Sequence, residues 1–261
     1  MYFWVKNFPS ISENETKNSN EIPFFSPSIF IPTIFLTAAI LIVHKFYYQS
    51  LVRYPTASSI PISLMNNRHV LLGVVTSVGD ADNFRLFHTP GGFLAGWHWL
   101  RSIPLSRKDL KDQTIHIRLS GIDAPELSHF GKEAQPYAKE AMDWLTSYIH
   151  GKRVRVRIFS RDRYERIVGA VEIRKWPYIW IKRNVSLEMI KLGLAEVYKS
   201  QGSEYGGKSA ELRFLYEEEK AKKKKIGIWK QSAKTYESPA EYKRRTLASL
   251  SSYIYPSKIK K

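Results

Sequence analysis

Hydrophobic and polar positions divide this 261-residue chain into unlike stretches. Residues 1–21 are polar, rich in Ser, Asn and Glu, and show no apolar period, so they read as a disordered head. From Ile22 to Val43 no charged side chain occurs, and Ile29–Val43 is almost wholly apolar. Roughly 20 helical residues cross a hydrocarbon core of about 30 Å. The run reaches that length only if it continues to Tyr48, with Lys45 snorkelling and Phe46, Tyr47 and Tyr48 at the interface. Pro23 and Pro27 oppose helix before about residue 28, and Pro32 suits a first turn. The expectation is an uncleaved transmembrane anchor over residues 22–48, because neither a start near the N-terminus nor a small-residue cleavage site marks it as a signal peptide. Lys45 and Arg53 after the span, against Lys17 before it, do not decide its orientation.

Residues 49–67 read as a linker. Beyond them the period changes to that of short strands. His69–Val75 and Asn83–Phe87 flank the turn Gly79-Asp-Ala-Asp82. Residues 88–113, with Trp97 and Trp99, read as a long loop without a motif. Thr114–Leu119 alternates cleanly, with Ile115, Ile117 and Leu119 on one face and Thr114, His116 and Arg118 on the other. Glu133–Ile149 has helical spacing (Ala134, Tyr137, Ala138, Ala141, Leu145, Tyr148, Ile149), stopped by Gly151. Arg153–Phe159 and Ile167–Ile173 form a predicted hairpin with Asp162–Arg166 in its turn. Val185–Leu192 reads as a helix and Leu194–Tyr198 as a short strand. A last helix follows over Ser209–Lys225, with Leu212, Leu215 and Tyr216 as its buried stripe. Five short strands with interspersed helices predict an α+β, mainly β fold: a five-stranded Greek-key barrel of the OB type.

Charge sharpens this picture. The formal net charge is +17, but residues 61–219 hold 24 basic against 19 acidic side chains, whereas residues 220–261 hold 13 against 2. An anionic partner, nucleic acid or a lipid surface, is implied. Residues 232–261 read as a basic tail, either a solvated face or a nucleic-acid contact. With no cysteine, the chain has no disulfide, zinc–thiolate site or thiol nucleophile.

The chemistry lies in Arg118-Leu-Ser-Gly-Ile-Asp-Ala-Pro-Glu126 and Asp162-Arg-Tyr-Glu-Arg166. Two guanidiniums can present planar donor forks to phosphate oxygens. Oxygen ligands suit a hard cation, and a spare carboxylate can accept a proton from water. These are the parts for phosphodiester hydrolysis. Taken singly, Asp-Ala-Pro-Glu is more often a turn before a helix, Arg166 a hairpin charge, His116 an exposed or supporting residue, and Lys222–Lys225 a solvated surface.

Together with Leu194-Ala-Glu-Val-Tyr198 and a Lys-rich helix ending Ile226-Gly-Ile-Trp229, the two motifs resemble staphylococcal-nuclease-type (thermonuclease) domains over about residues 68–231. With the preceding span, the whole chain resembles the fungal long-chronological-lifespan protein 3 family. That resemblance implies an OB-fold, a mitochondrial membrane anchor and calcium-dependent endonuclease cleavage of DNA and RNA. It implies Arg118, Glu126 and Arg166 as catalytic residues, with Glu126 as general base. It further implies Ca2+ held by Asp82, Asp123 and the backbone carbonyl of Ala124, with Asp80 as a neighbouring candidate for the Asp82 role. Tyr164 falls near the substrate phosphate, and a second tyrosine stays unassigned between Tyr198 and Tyr205. The competing expectations are a catalytically silent OB-fold module that binds nucleic acid at a membrane, and a tethered structural protein whose tail docks anionic lipid.

Overall fold

A computed structural model of the chain describes residues 27–128, 133–177, 180–199, 203–232 and 235–254. The expected head, and the first residues of the expected anchor, lie outside them. The chain divides into two compact units, residues 1–49 and 50–261.

In the first unit, helix α1 (Pro27–Ser50) carries Pro32 in its second turn. At about 1.5 Å per residue it is long and apolar enough to cross a membrane over Phe30–Tyr48, and none of that stretch is buried within the chain. Tyr47 and Tyr48 meet edge to face at its far end.

The second unit begins with α2 (Ile62–Asn66), then β1 (Val70–Asp80), β2 (Asn83–His88), β3 (Ile115–Leu119) and β4 (Ile122–Asp123). Next come α3 (Ala138–Ile149), β5 (Arg153–Arg161), β6 (Ile167–Arg174), β7 (Lys182–Asn184), α4 (Val185–Lys191), β8 (Glu196–Val197), α5 (Lys208–Lys223) and α6 (Pro239–Ile254). Six strands pair in the order β3-β2-β1-β5-β6-β7. A parallel pairing of β3 with β6, at Ile117–Ile167 and Arg118–Val168, closes the first five of them into a barrel. Closure requires strands to bend, and the register slips in β1 between Val75 and Ser77 and between Val78 and Asp80 do so. Another slip lies in β5 between Ile158 and Ser160.

The interior follows from the period-two pattern. Ile115, Ile117 and Leu119 of β3 are essentially buried, as are Val154, Val156 and Ile158 of β5 and Ile167, Val171 and Ile173 of β6. Each such side chain contributes roughly 1.5–3 kcal/mol.

At four places the structure adds to or departs from the sequence expectations. The supposed linker 49–67 is part of the core: Tyr54, Ala57, Ile60, Leu64 and Met65 are buried against the barrel. Side chains satisfy its irregular backbone, since Tyr54 N donates to His88 Nδ1 and Arg161 Nη2 to the Ile60 carbonyl, so no regular period announces it. The 88–113 loop is folded around buried Trp97, whose Nε1 donates to the Pro90 carbonyl at 3.0 Å and whose ring Arg101 covers. In α5 the buried positions are Phe214, Glu218 and Ala221, while Leu212 and Tyr216 are exposed. The basic tail contains α6, which begins at a capping box: Glu241 N donates to Ser238 Oγ, and Ser238 N to Glu241 Oε2.

Candidate active site

Three turns bring the expected residues to one side of the barrel. The β1–β2 turn carries Asp80 and Asp82, and its Asp82 carbonyl accepts from Leu119 N at 2.9 Å, which ties it to β3. The β3–β4 turn needs Gly121 at φ +73°, because a Cβ there would lie 2.7 Å from the Tyr205 ring and 2.9 Å from Phe214. This turn sends the chain from Arg118 on the outer face of β3 back to Asp123 on β4. The β5–β6 turn carries Asp162–Arg166, with Glu165 at φ +58°.

Arg118 stands between two buried acids. Its Nη2 lies 3.1 Å from Asp82 Oδ2 and 3.2 Å from Asp123 Oδ1. Burial opposes its charge, but the two aspartates outweigh that and hold it firmly protonated. Arg166 is fixed differently: its Nε donates to Asp162 Oδ2 at 2.7 Å, while Asp162 Oδ1 accepts from the backbone N–H of Tyr164 and Arg166. Despite burial, these bonds keep the Asp162 carboxyl below its ordinary range. The exposed Tyr164 ring lies 5.2 Å from the Arg166 guanidinium. Glu126 is placed through its backbone, where N donates to Gln135 Oε1 and the carbonyl accepts from Gln135 N.

Asp82, Arg118, Asp123, Glu126, Tyr164 and Arg166 all line one cavity of about 770 Å³. Ala124, which follows Asp123, is buried. A larger cavity of about 840 Å³ lies under the 88–113 region with Arg85, Arg107, Lys108 and Lys111 in its wall, and holds none of the expected site residues. Chemistry, not size, marks the smaller one as the site.

The donor set suits a hard divalent cation. Asp80, Asp82, Asp123 and Glu126 supply only oxygens, and Asp82 Oδ2 is buried with the Arg118 guanidinium as its ion-pair partner. Burial, then repulsion from Asp82, pushes the Asp80 carboxyl up to about 6. Among the described residues no three acidic or histidine side chains form a ready cluster. Two aspartates would therefore leave most of the coordination positions of such a cation to other oxygen ligands.

Residues 116–231 match the family described as staphylococcal nuclease homologue. A probable endonuclease LCL3 from Pyricularia oryzae is 48% identical over 248 residues, covering 94% of each chain. The chain belongs to the LCL3 family. The LCL3 relative from Aspergillus flavus is 46% identical over 89% of this chain and 88% of its own. The one from Paracoccidioides lutzii is 49% identical over 85% of this chain, which spans 65% of that protein's length.

Further residues join those expected at the site. Tyr198 lines the cavity with its ring 5.8 Å from the Arg118 guanidinium, while Tyr205 donates its hydroxyl to the Tyr198 carbonyl. His116 is neutral, lowered to about 4 by burial and by Arg85 and Arg166. Asn83 Nδ2 donates to Asp82 Oδ1, so Asn83 Oδ1 faces His116 Nε2 at 3.0 Å and the imidazole donates there. It positions Asp82 through Asn83. Lys243 of α6 reaches the acids themselves, with Nζ 2.8 Å from both Asp123 Oδ1 and Glu126 Oε1. The Ser238–Glu241 capping box could have announced its helix, but no local signal could have announced its destination.

Proposed function

We propose that this chain is a calcium-dependent endonuclease that hydrolyses phosphodiester bonds in DNA or RNA from a membrane anchor. The observation that carries the reading is the meeting of Arg118, Arg166, Glu126, Asp82 and Asp123, from three separate turns, around one cavity. In this reading Glu126 accepts a proton from the attacking water. Arg118 and Arg166 donate to the phosphate oxygens as charge accumulates on them, and Tyr164 and Tyr198 flank the strand beside those guanidiniums. Asp82 and Asp123 hold the cation. When bound, that ion supplies Lewis-acid polarisation of a phosphoryl oxygen and a template for the substrate.

Full-length protein in detergent should degrade single-stranded DNA with calcium and stop with a chelator. Glu126→Gln should lower the rate about 10²–10⁴-fold while leaving binding nearly intact. No cleavage by clean protein across a calcium titration would reject the enzyme and leave the silent binding module. Helix α1 supports residues 22–48 as the anchor, and the family resemblance points to a mitochondrial membrane. Protease protection of a C-terminal tag in intact organelles checks both, and recovery of the whole chain as soluble cytosolic protein would remove them.

A further inference from the structure

The basic C-terminal segment, expected as either a solvated face or a nucleic-acid contact, is docked on the cavity through its described residues. Tyr236 donates its hydroxyl to Glu196 Oε2 at 2.7 Å. Gln135, whose other end holds Glu126, donates Nε2 to the Glu237 carbonyl at 3.0 Å. Tyr242 donates to the Glu133 carbonyl at 2.8 Å. Pro239 opens α6 directly after its cap, which sets the helical phase and puts Ala240, Lys243 and Arg244 on the cavity wall.

We infer that Lys243 is an internal cation of this site, which occupies Asp123 and Glu126 in place of the divalent ion and must leave before metal and substrate can enter. The inference rests on the proposed nuclease reading and deepens it. Lysine carries a compact point charge with three donors, the side chain best able to stand in for a cation among carboxylates. Its Nζ bonds both carboxylates at 2.8 Å. Asp123 Oδ1 already faces Arg118 at 3.2 Å, so with Lys243 seated it meets two cations. A calcium ion needs that oxygen at about 2.3–2.6 Å, where it would be pressed against the ammonium. The Glu126 oxygen that should take a proton from water is engaged as well. The closed arrangement is thus poorly suited to metal binding and to base catalysis alike.

Because the occupant is tethered, the competition appears as a conformational equilibrium. The apparent metal affinity is the intrinsic affinity multiplied by the fraction of molecules in which α6 is released. Substrate phosphates add a second pull, since a polynucleotide offers Lys243 and Arg244 replacement anions.

The test uses the full chain in detergent, with calcium alone as probe and calorimetry as the readout. Lys243→Met, which keeps the aliphatic stem and drops the charge, should bind calcium about tenfold more tightly or better. Arg245→Ala removes an exposed charge paired with Glu237 and should not change the affinity. In the unaltered chain, added calcium should also raise amide exchange across residues 239–246. Equal affinity in the Lys243→Met and unaltered chains, or exchange in α6 that ignores calcium, overturns the inference. Tighter binding without cleavage of DNA upholds it and sinks the nuclease reading; cleavage with unchanged affinity does the reverse.

Discussion

Arg118 and Arg166 are chemically the same group with the same exposure, 17% of each side chain, and they are held by opposite means. Arg118 rises from near the end of β3 and is clamped by Asp82 and Asp123, side chains only 6% and 2% exposed. Arg166 sits at the foot of a hairpin turn and is clamped by Asp162, which organises that turn. The counter-ions of Arg118 are the acids proposed to hold metal; the counter-ion of Arg166 belongs to the scaffold. Each guanidinium proposed to meet phosphate is fixed here by an acid, and the location of that acid decides what removing the arginine disturbs. Losing Arg166 should be felt in rate alone. Losing Arg118 should be felt in rate and in folding.

The largest effect sought is therefore on catalysis. Arg166→Ala and Arg118→Ala should each lower DNA cleavage by about 10³–10⁵-fold. Urea unfolding in chelator then separates them. Arg118→Ala leaves the buried Asp82 carboxylate without its cation, while Asp123 keeps Lys243, and should lose about 3 kcal/mol, whereas Arg166→Ala should stay within about 0.5 kcal/mol. Two variants of equal stability would break the contrast.

A smaller effect isolates the anchor from the group it anchors. Asp162→Asn keeps the size of the side chain but weakens the bond that orients Arg166. Positioning losses of this kind amount to about 10²-fold. They should appear in kcat more than in KM, and Asp162→Glu should not restore them, because the longer arm cannot also accept from Tyr164 N and Arg166 N. Full activity of Asp162→Asn would mean that the turn holds Arg166 without its acid.

The same contrast explains which parts of the molecule were legible in its sequence. Alternation in Thr114–Leu119 placed Arg118 on the outer face because each interior neighbour is a β-branched or leucine side chain. The barrel strands were legible for that reason. What escaped was every structure held by polar contacts to distant residues. The segment before α2 is docked through Arg53, Tyr54 and Arg161. The inner face of α5 contains Glu218, buried because it accepts from Val197 N and pairs with Lys199 and Lys222, and a stripe sought among apolar residues passes it by. The strap α6 is built from Tyr236, Tyr242 and Lys243, whose partners lie 40, 109 and 120 residues away. Periodicity registers burial of hydrocarbon, not a hydrogen bond that closes over such a distance.

The smallest effect lies at a third arginine, remote from the acids, and tests whether stability alone can be moved. Arg53 donates to the Gln113 side chain at 2.7 Å and covers Phe87, beside buried His88, which stacks on Tyr54. Burial, then Arg53, lowers His88 from 6.5 to about 3. The folded state therefore binds this proton more weakly than the unfolded chain does. Its contribution is fully present above pH 6.5 and is lost as pH falls towards 3, with about 2 kcal/mol gone by pH 5. Asp80, raised to about 6, works in the opposite direction over part of that window, so the comparison must be with His88→Asn, where the histidine share alone is missing. Between pH 8 and pH 5 the unaltered protein should lose more stability in urea than His88→Asn, by that amount. Because His88 shares no partner with Arg118 or Arg166, the difference should be the same in either alanine background. Parallel loss in protein and variant would mean that His88 stays accessible to protons in the fold, and that residues 50–67 are less tightly docked than their burial indicates.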